Sequence, residues 1–148
     1  MSAIMASLSL VPACTDEEWT KFERVDLEAD GIELEEHEQY YTTSVPPEGS
    51  TFTVTANGKN MKYGTLNEFW EIDTNNYWNH NLSTTCPPDD EMPKGDWGNV
   101  VYLSREVPYS VKITVTPNTT TKSRMLRFSF GFAYDISYLD ISQEPLKK

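Results

Sequence analysis

The sequence predicts an all-β protein folded as a two-sheet sandwich, and three observations carry that expectation. Within residues 109–145, apolar side chains recur at every second position in three successive runs. These are Val111, Ile113 and Val115, then Leu126, Phe128, Phe130 and Phe132, then Leu139 and Ile141. Period-two alternation marks strands with one buried and one wet face. Turn-forming residues separate the runs, as Pro117, Asn118 and Thr119 do between the first two. Six Phe, four Trp and eight Tyr accompany only 38% hydrophobic residues, a composition that favours half-buried strands over disorder.

Each element can be justified in order. Residues 31–36 place Ile32 and Leu34 on one face and glutamates on the other, an edge strand whose charges discourage sheet-to-sheet association. Val45, Pro46, Pro47, Glu48 and Gly49 then break the chain. Residues 50–56 turn Phe52 and Val54 inward and end at Asn57-Gly58, a tight-turn pair. Residues 68–73 form a strand on which Trp70 and Ile72 share a face, with Trp70 expected in the core. Regularity fades over 73–99, where Asn75, Asn76, Pro87, Pro88, Pro93 and Gly95 predict a long loop region with at most short strands. Residues 99–104 resume as strand, and the three C-terminal runs are expected to supply one sheet frame and the bulk of the core. About seven short strands with hardly a helical pattern predict an immunoglobulin-like β-sandwich.

The chain of 148 residues fits one domain with short appendages. Twelve basic against 23 acidic residues give a formal charge of −11 and a pI near 4.5. Nucleic-acid binding rests on Lys and Arg contacts to phosphates, so no nucleic-acid partner is expected. An anionic bilayer repels such a chain unless something covalent holds it there.

Residues 1–13 are uncharged and small or apolar, and Cys14 follows them. Leu10, Val11, Pro12, Ala13 and Cys14 resemble a bacterial lipobox, in which the cysteine becomes the lipidated N-terminus after cleavage. Pro12 and the lack of Lys or Arg in residues 1–13 depart from that pattern. The resemblance implies a signal peptide over 1–13, lipidation of Cys14, and attachment to the outer membrane through acyl chains. Each buried CH₂ adds about 0.8 kcal/mol, so two or three chains anchor durably. The alternative is a buried Cys14, or one bonded to Cys86, the other cysteine. Asp16, Glu17 and Glu18 resemble surface-export signals of Bacteroidetes lipoproteins, which implies exposure at the cell surface; otherwise they are a solvated acidic tether. Trp19, Phe22 and Val25, spaced by three, leave residues 19–30 as either a short helix or an extended lead-in. Residues 14–30 are accordingly expected as a tether and 31–146 as the domain.

Several strand motifs together resemble one family. Ser50 to Gly58, Trp70 within Phe-Trp-Glu-Ile, Tyr77-Trp78, Val111 to Asn118, Arg124 and Ile141-Ser-Gln143 are similar in order to the motifs of the BACON family. That name stands for Bacteroidetes-associated carbohydrate-binding, often N-terminal. The resemblance covers about residues 31–146 and is most specific in its C-terminal half. An enlarged segment over 86–98 departs from the family. The resemblance implies an exported, non-enzymatic module whose partner is a polysaccharide or mucin-type glycan, or else a spacer that contacts another protein.

Candidate contacts follow from chemistry. Sugar rings present apolar C–H faces that stack on aromatic planes, while Asn and Asp satisfy hydroxyls. Tyr77, Trp78 and Trp97, with Asn75, Asn79 and Asp96, supply both kinds of group in the irregular region. Structural burial of these aromatics is the competing reading. His37 and His80 have no ligand-spaced companions, so no metal site is expected. Asp89, Asp90 and Glu91 could offer oxygens to calcium, but lack the glycine and terminal glutamate of a dedicated loop. No nucleophile elbow occurs, and carboxylates alone do not make a glycosidase, so neither catalysis nor a cofactor is expected.

Overall fold

The computed structural model describes residues 24–58, 66–73, 76–81, 87–132 and 135–147. These residues form a β-sandwich of a five-stranded and a six-stranded sheet. In chain order the strands are β1 (Asp26–Asp30), β2 (Glu35–Glu36), β3 (Tyr40–Val45), β4 (Ser50–Asn57), β5 (Leu66–Asp73) and β6 (Asn76–Asn81). They continue with β7 (Lys94–Gly95), β8 (Gly98–Ser104), β9 (Tyr109–Val115), β10 (Arg124–Phe132) and β11 (Asp135–Gln143). The five-stranded sheet runs β1-β4-β9-β8-β7, and the six-stranded sheet runs β2-β3-β11-β10-β5-β6. The β3–β11 pair is parallel, with Tyr41 opposite Leu139.

Alternation does the work that the sequence promised. Phe52 and Val54 from β4, Val111, Ile113 and Val115 from β9, Leu126, Phe128 and Phe130 from β10, and Leu139 and Ile141 from β11 are all buried between the sheets. Burying each such side chain contributes about 1.5–3 kcal/mol. The three C-terminal runs nevertheless do not share one frame. β9 lies in the five-stranded sheet, whereas β10 and β11 pair in the other. Asn57-Gly58 likewise closes no hairpin, because β4 pairs with β1 and β9 while β5 belongs to the opposite sheet.

Three further expectations are corrected. Residues 26–30, assigned to the tether, are β1, and Val25 and Leu27 enter the core. The decisive period there is two, not three. Leu27 N–H also donates to the Tyr41 hydroxyl (3.3 Å), and the Ser137 hydroxyl to the Val25 carbonyl (2.6 Å), tying the first strand to the far sheet. Of residues 31–36 only Glu35 and Glu36 pair as strand, while Ile32 and Leu34 pack partly buried against the core. Tyr40–Val45, unrecognised as a strand, buries Tyr41, Thr43 and Val45, a pattern disguised by the threonine.

Backbones approach most closely at Gly98, which has φ of 138° and sits opposite Val115. A Cβ built there would collide with the Thr114 carbonyl oxygen. Gly98→Ala is therefore expected to destabilise by about 1–3 kcal/mol, read as a lower urea midpoint at unchanged slope.

Candidate functional site: the outer face of the six-stranded sheet

Inward placement of Phe69, Phe128 and Leu139 leaves their neighbours on the opposite face of the sheet. Trp70 and Ile72 of β5, Met125 and Arg127 of β10, and Tyr138 and Asp140 of β11 share that outer surface. The register aligns them, since Arg127 lies opposite both Trp70 and Asp140. Arg127 donates from Nε and Nη2 to the two Asp140 carboxylate oxygens, each at 2.6 Å. This fork-to-fork pairing fixes both side chains. The same guanidinium lies 5.2 Å from the Tyr138 ring centroid. Trp70 and Tyr138 have centroids 6.1 Å apart and planes inclined by 50°. With Ile72 and Arg127 they line an open notch of about 250 Å³.

The notch offers two half-buried aromatic faces beside a fixed guanidinium–carboxylate pair. Because the planes are inclined, they suit a ring held at an angle between them rather than one laid on a flat platform. Aromatic faces receive apolar C–H surfaces, and the adjoining charged pair receives hydroxyls. Nothing in the arrangement supplies a nucleophile. Among the described residues no three His, Cys, Asp or Glu side chains converge to hold a metal ion.

A protein from Bacteroides thetaiotaomicron shares this fold. Its NMR structure matches with a TM-score of 0.53 at 17% identity, over 81% of this chain and 89% of that one. At that identity the likeness concerns the fold alone. No protein-family model and no curated protein matches the chain.

The sequence-derived contacts are distributed differently. Trp97 is fully buried, with ring centroids 4.8 Å from Phe69 and 5.9 Å from Phe128. It is a core residue and cannot stack on a ligand, which corrects its assignment as a contact. Gly95 makes this placement feasible: a Cβ there would lie 3.0 Å from the Trp97 indole nitrogen. Asp96 is exposed at the β7–β8 turn and does not line the Trp70 notch, and its carbonyl accepts from the Thr116 hydroxyl (2.5 Å). Tyr77, Trp78 and Asn79 lie on β6, a short strand within the region expected to be largely loop, with backbones opposite Ile72, Glu71 and Trp70. Their side chains fall outside the description, as do Asn75, Cys14 and Cys86.

Trp70 reverses its expected role, since it lies on the outer face and not in the core. Phe69 and Trp70 are adjacent, so one of them must face outward, and Phe69 takes the interior with Trp97 and Phe128. Sequence reasoning missed Tyr138, Arg127 and Asp140. The signal was present: once Leu126, Phe128, Leu139 and Ile141 are inward, the residues between them must be outward.

The segment over 87–98 protects an edge. Pro87, Met92, Pro93 and Trp97 are buried, and Val100 N–H donates to the Pro93 carbonyl (2.9 Å). Arg105 lies 4.0 Å over the Tyr102 ring, donates to the Pro87 carbonyl (2.6 Å) and pairs with Asp89 (2.5 Å). A proline-rich segment thus covers part of the β8 edge, a recognised way of blocking strand addition.

Proposed function

We propose that this chain is a non-enzymatic, lipid-anchored cell-surface module of the BACON type that holds a glycan ring against Trp70 and Tyr138. The observation that carries the reading is the inclined Trp70–Tyr138 pair, on a rigid sheet face beside the Arg127–Asp140 fork. Sites built on strands hold their geometry better than sites on loops. The immunoglobulin-like type is supported by the chain's repeated passage between sheets and by the parallel β3–β11 pair. Residues 1–13 act as the signal peptide, and Cys14 carries the lipid that attaches the protein to the outer membrane.

A glycan array probed with the protein, followed by titration of any hit, tests the sugar reading. Trp70→Ala and Tyr138→Ala are each expected to weaken binding by about tenfold or more, a loss of about 1.4 kcal/mol. Both side chains are partly exposed, so thermal midpoints should change little. Absence of any array hit, or full binding by both variants, ends this reading. Mass spectrometry of the membrane fraction tests the anchor; an unmodified Met1 or a Cys14–Cys86 disulfide overturns it.

A second reading is a structural or accessory subunit that contacts another protein. It is favoured by Val101 and Leu103, which are 38% and 55% exposed and share the outer face of β8. Exposed aliphatic neighbours of this kind mark protein contacts more than sugar contacts.

A further inference from the structure

We propose that the cleft between the end of β5, the β7–β8 turn and the 117–124 loop binds the carboxylate of a hydroxylated small ligand, anchored by Arg124. The cleft has a volume of about 450 Å³ and is lined by Glu71, Ile72, Asp96, Thr119, Thr121 and Arg124, among others. That is within the range of small-molecule sites.

The key observation is how differently the arginines are treated. Arg24 pairs with Glu36 (2.7 Å), Arg105 with Asp89 (2.5 Å) and Arg127 with Asp140 (2.6 Å). Arg124 makes no such pair among the described residues, in a chain whose 23 acidic residues outnumber its 12 basic ones. Its side chain donates only from Nη2 to the Pro117 carbonyl (3.0 Å). Burial lowers its pKa even though Glu71 and Asp96 act to raise it. Arg124 is half-buried, and the guanidinium N–H groups not used by Pro117 can donate to a bound anion.

The guanidinium fork matches a carboxylate in shape. Glu71 and Asp96 near the same cation oppose any anion, and a doubly charged phosphate more strongly than a singly charged carboxylate. Exposed Thr119 and Thr121 offer hydroxyls at the rim, and Ile72 offers an apolar wall. Together these specify a monoanion with hydroxyl groups and a C–H face, the chemistry of a uronic acid. The loop is already fixed from below. Asn118 is fully buried; its Nδ2 donates to the Lys122 carbonyl (2.8 Å), and its Oδ1 accepts from the Thr120 hydroxyl (2.6 Å). Little ordering cost remains for binding.

The test titrates the ¹⁵N-labelled full chain with sodium digalacturonate, with the neutral galactose disaccharide and with sodium acetate. Digalacturonate is expected to shift the amides of residues 119–124, and the neutral disaccharide to leave them in place. Arg124→Gln should weaken the uronate at least about tenfold, and Arg124→Lys less, because Lys retains charge without the fork. The proposal is overturned by equal shifts from the neutral sugar, by shifts confined to other residues, or by undiminished binding to Arg124→Gln. Acetate binding as tight as digalacturonate overturns the hydroxylated-ligand assignment. Wild-type shift mapping decides the matter even if a variant fails to fold. Shifts at residues 119–124 report this cleft and not the Trp70–Tyr138 notch, so failure here is separate from failure of the Trp70–Tyr138 reading.

Discussion

Trp97→Ala is expected to destabilise the domain by about 3–5 kcal/mol, the range for removing a fully buried aromatic. Typical domains have only about 5–15 kcal/mol in total, so the variant should unfold at a much lower urea midpoint or lose its cooperative transition. The physical basis is the contact of the fully buried Trp97 ring with Phe69 and Phe128, since truncation would leave a cavity beside both rings. Trp97→Phe keeps most of that volume and should cost clearly less. The contrast with Trp70→Ala is the sharpest available check. One tryptophan should govern stability and the other binding. Equal midpoints for Trp97→Ala and wild type would contradict the packing described.

The second large effect is expected at Asn118. This side chain is fully buried and donates to the carbonyls of Lys122 (2.8 Å) and Gln143 (3.4 Å). Its Oδ1 accepts from the Thr120 backbone and hydroxyl (3.2 and 2.6 Å). Gln143 continues the network through Nε2 to the carbonyls of Pro46 (3.0 Å) and Thr116 (3.0 Å). Two irregular segments, 46–47 and 116–122, are thereby tied to the end of β11. Asn118→Ala removes these bonds together and takes a donor from the buried Gln143 carbonyl, a loss worth about 1–3 kcal/mol by itself. A total loss of about 2–4 kcal/mol is expected, measured by urea unfolding. Asn118→Ala and Gln143→Ala should also fail to add in a double-mutant cycle, because both side chains hold the same 116–122 loop, Asn118 through the Lys122 carbonyl and Gln143 through the Thr116 carbonyl. Strict additivity would mean that the two residues act independently.

The motif residues that carried the family resemblance have therefore turned out to serve different ends. Asn118 and Gln143 hold the scaffold, whereas Arg124 faces a cleft. Trp70, read as scaffold, lies on the exposed face. Residue type alone could not separate these roles, since a tryptophan suits either a core or a surface contact.

The sequence by itself determined which residues alternate, and so the inward faces of β4, β9, β10 and β11 and the all-β class. That information is local: neighbouring side chains on a strand point to opposite faces whatever lies beyond. Only the tertiary structure decided which strands share a sheet. β9 and β10 are adjacent in sequence yet lie in opposite layers, because pairing depends on long-range hydrogen bonds that no local period encodes. Likewise β6 and β1 became strands because β5 and β4 offered edges to complete, and Trp97 became core because Phe69 and Phe128 left a space beside them. The outer face that carries Trp70, Tyr138, Arg127 and Asp140 exists only once three strands are laid side by side in register.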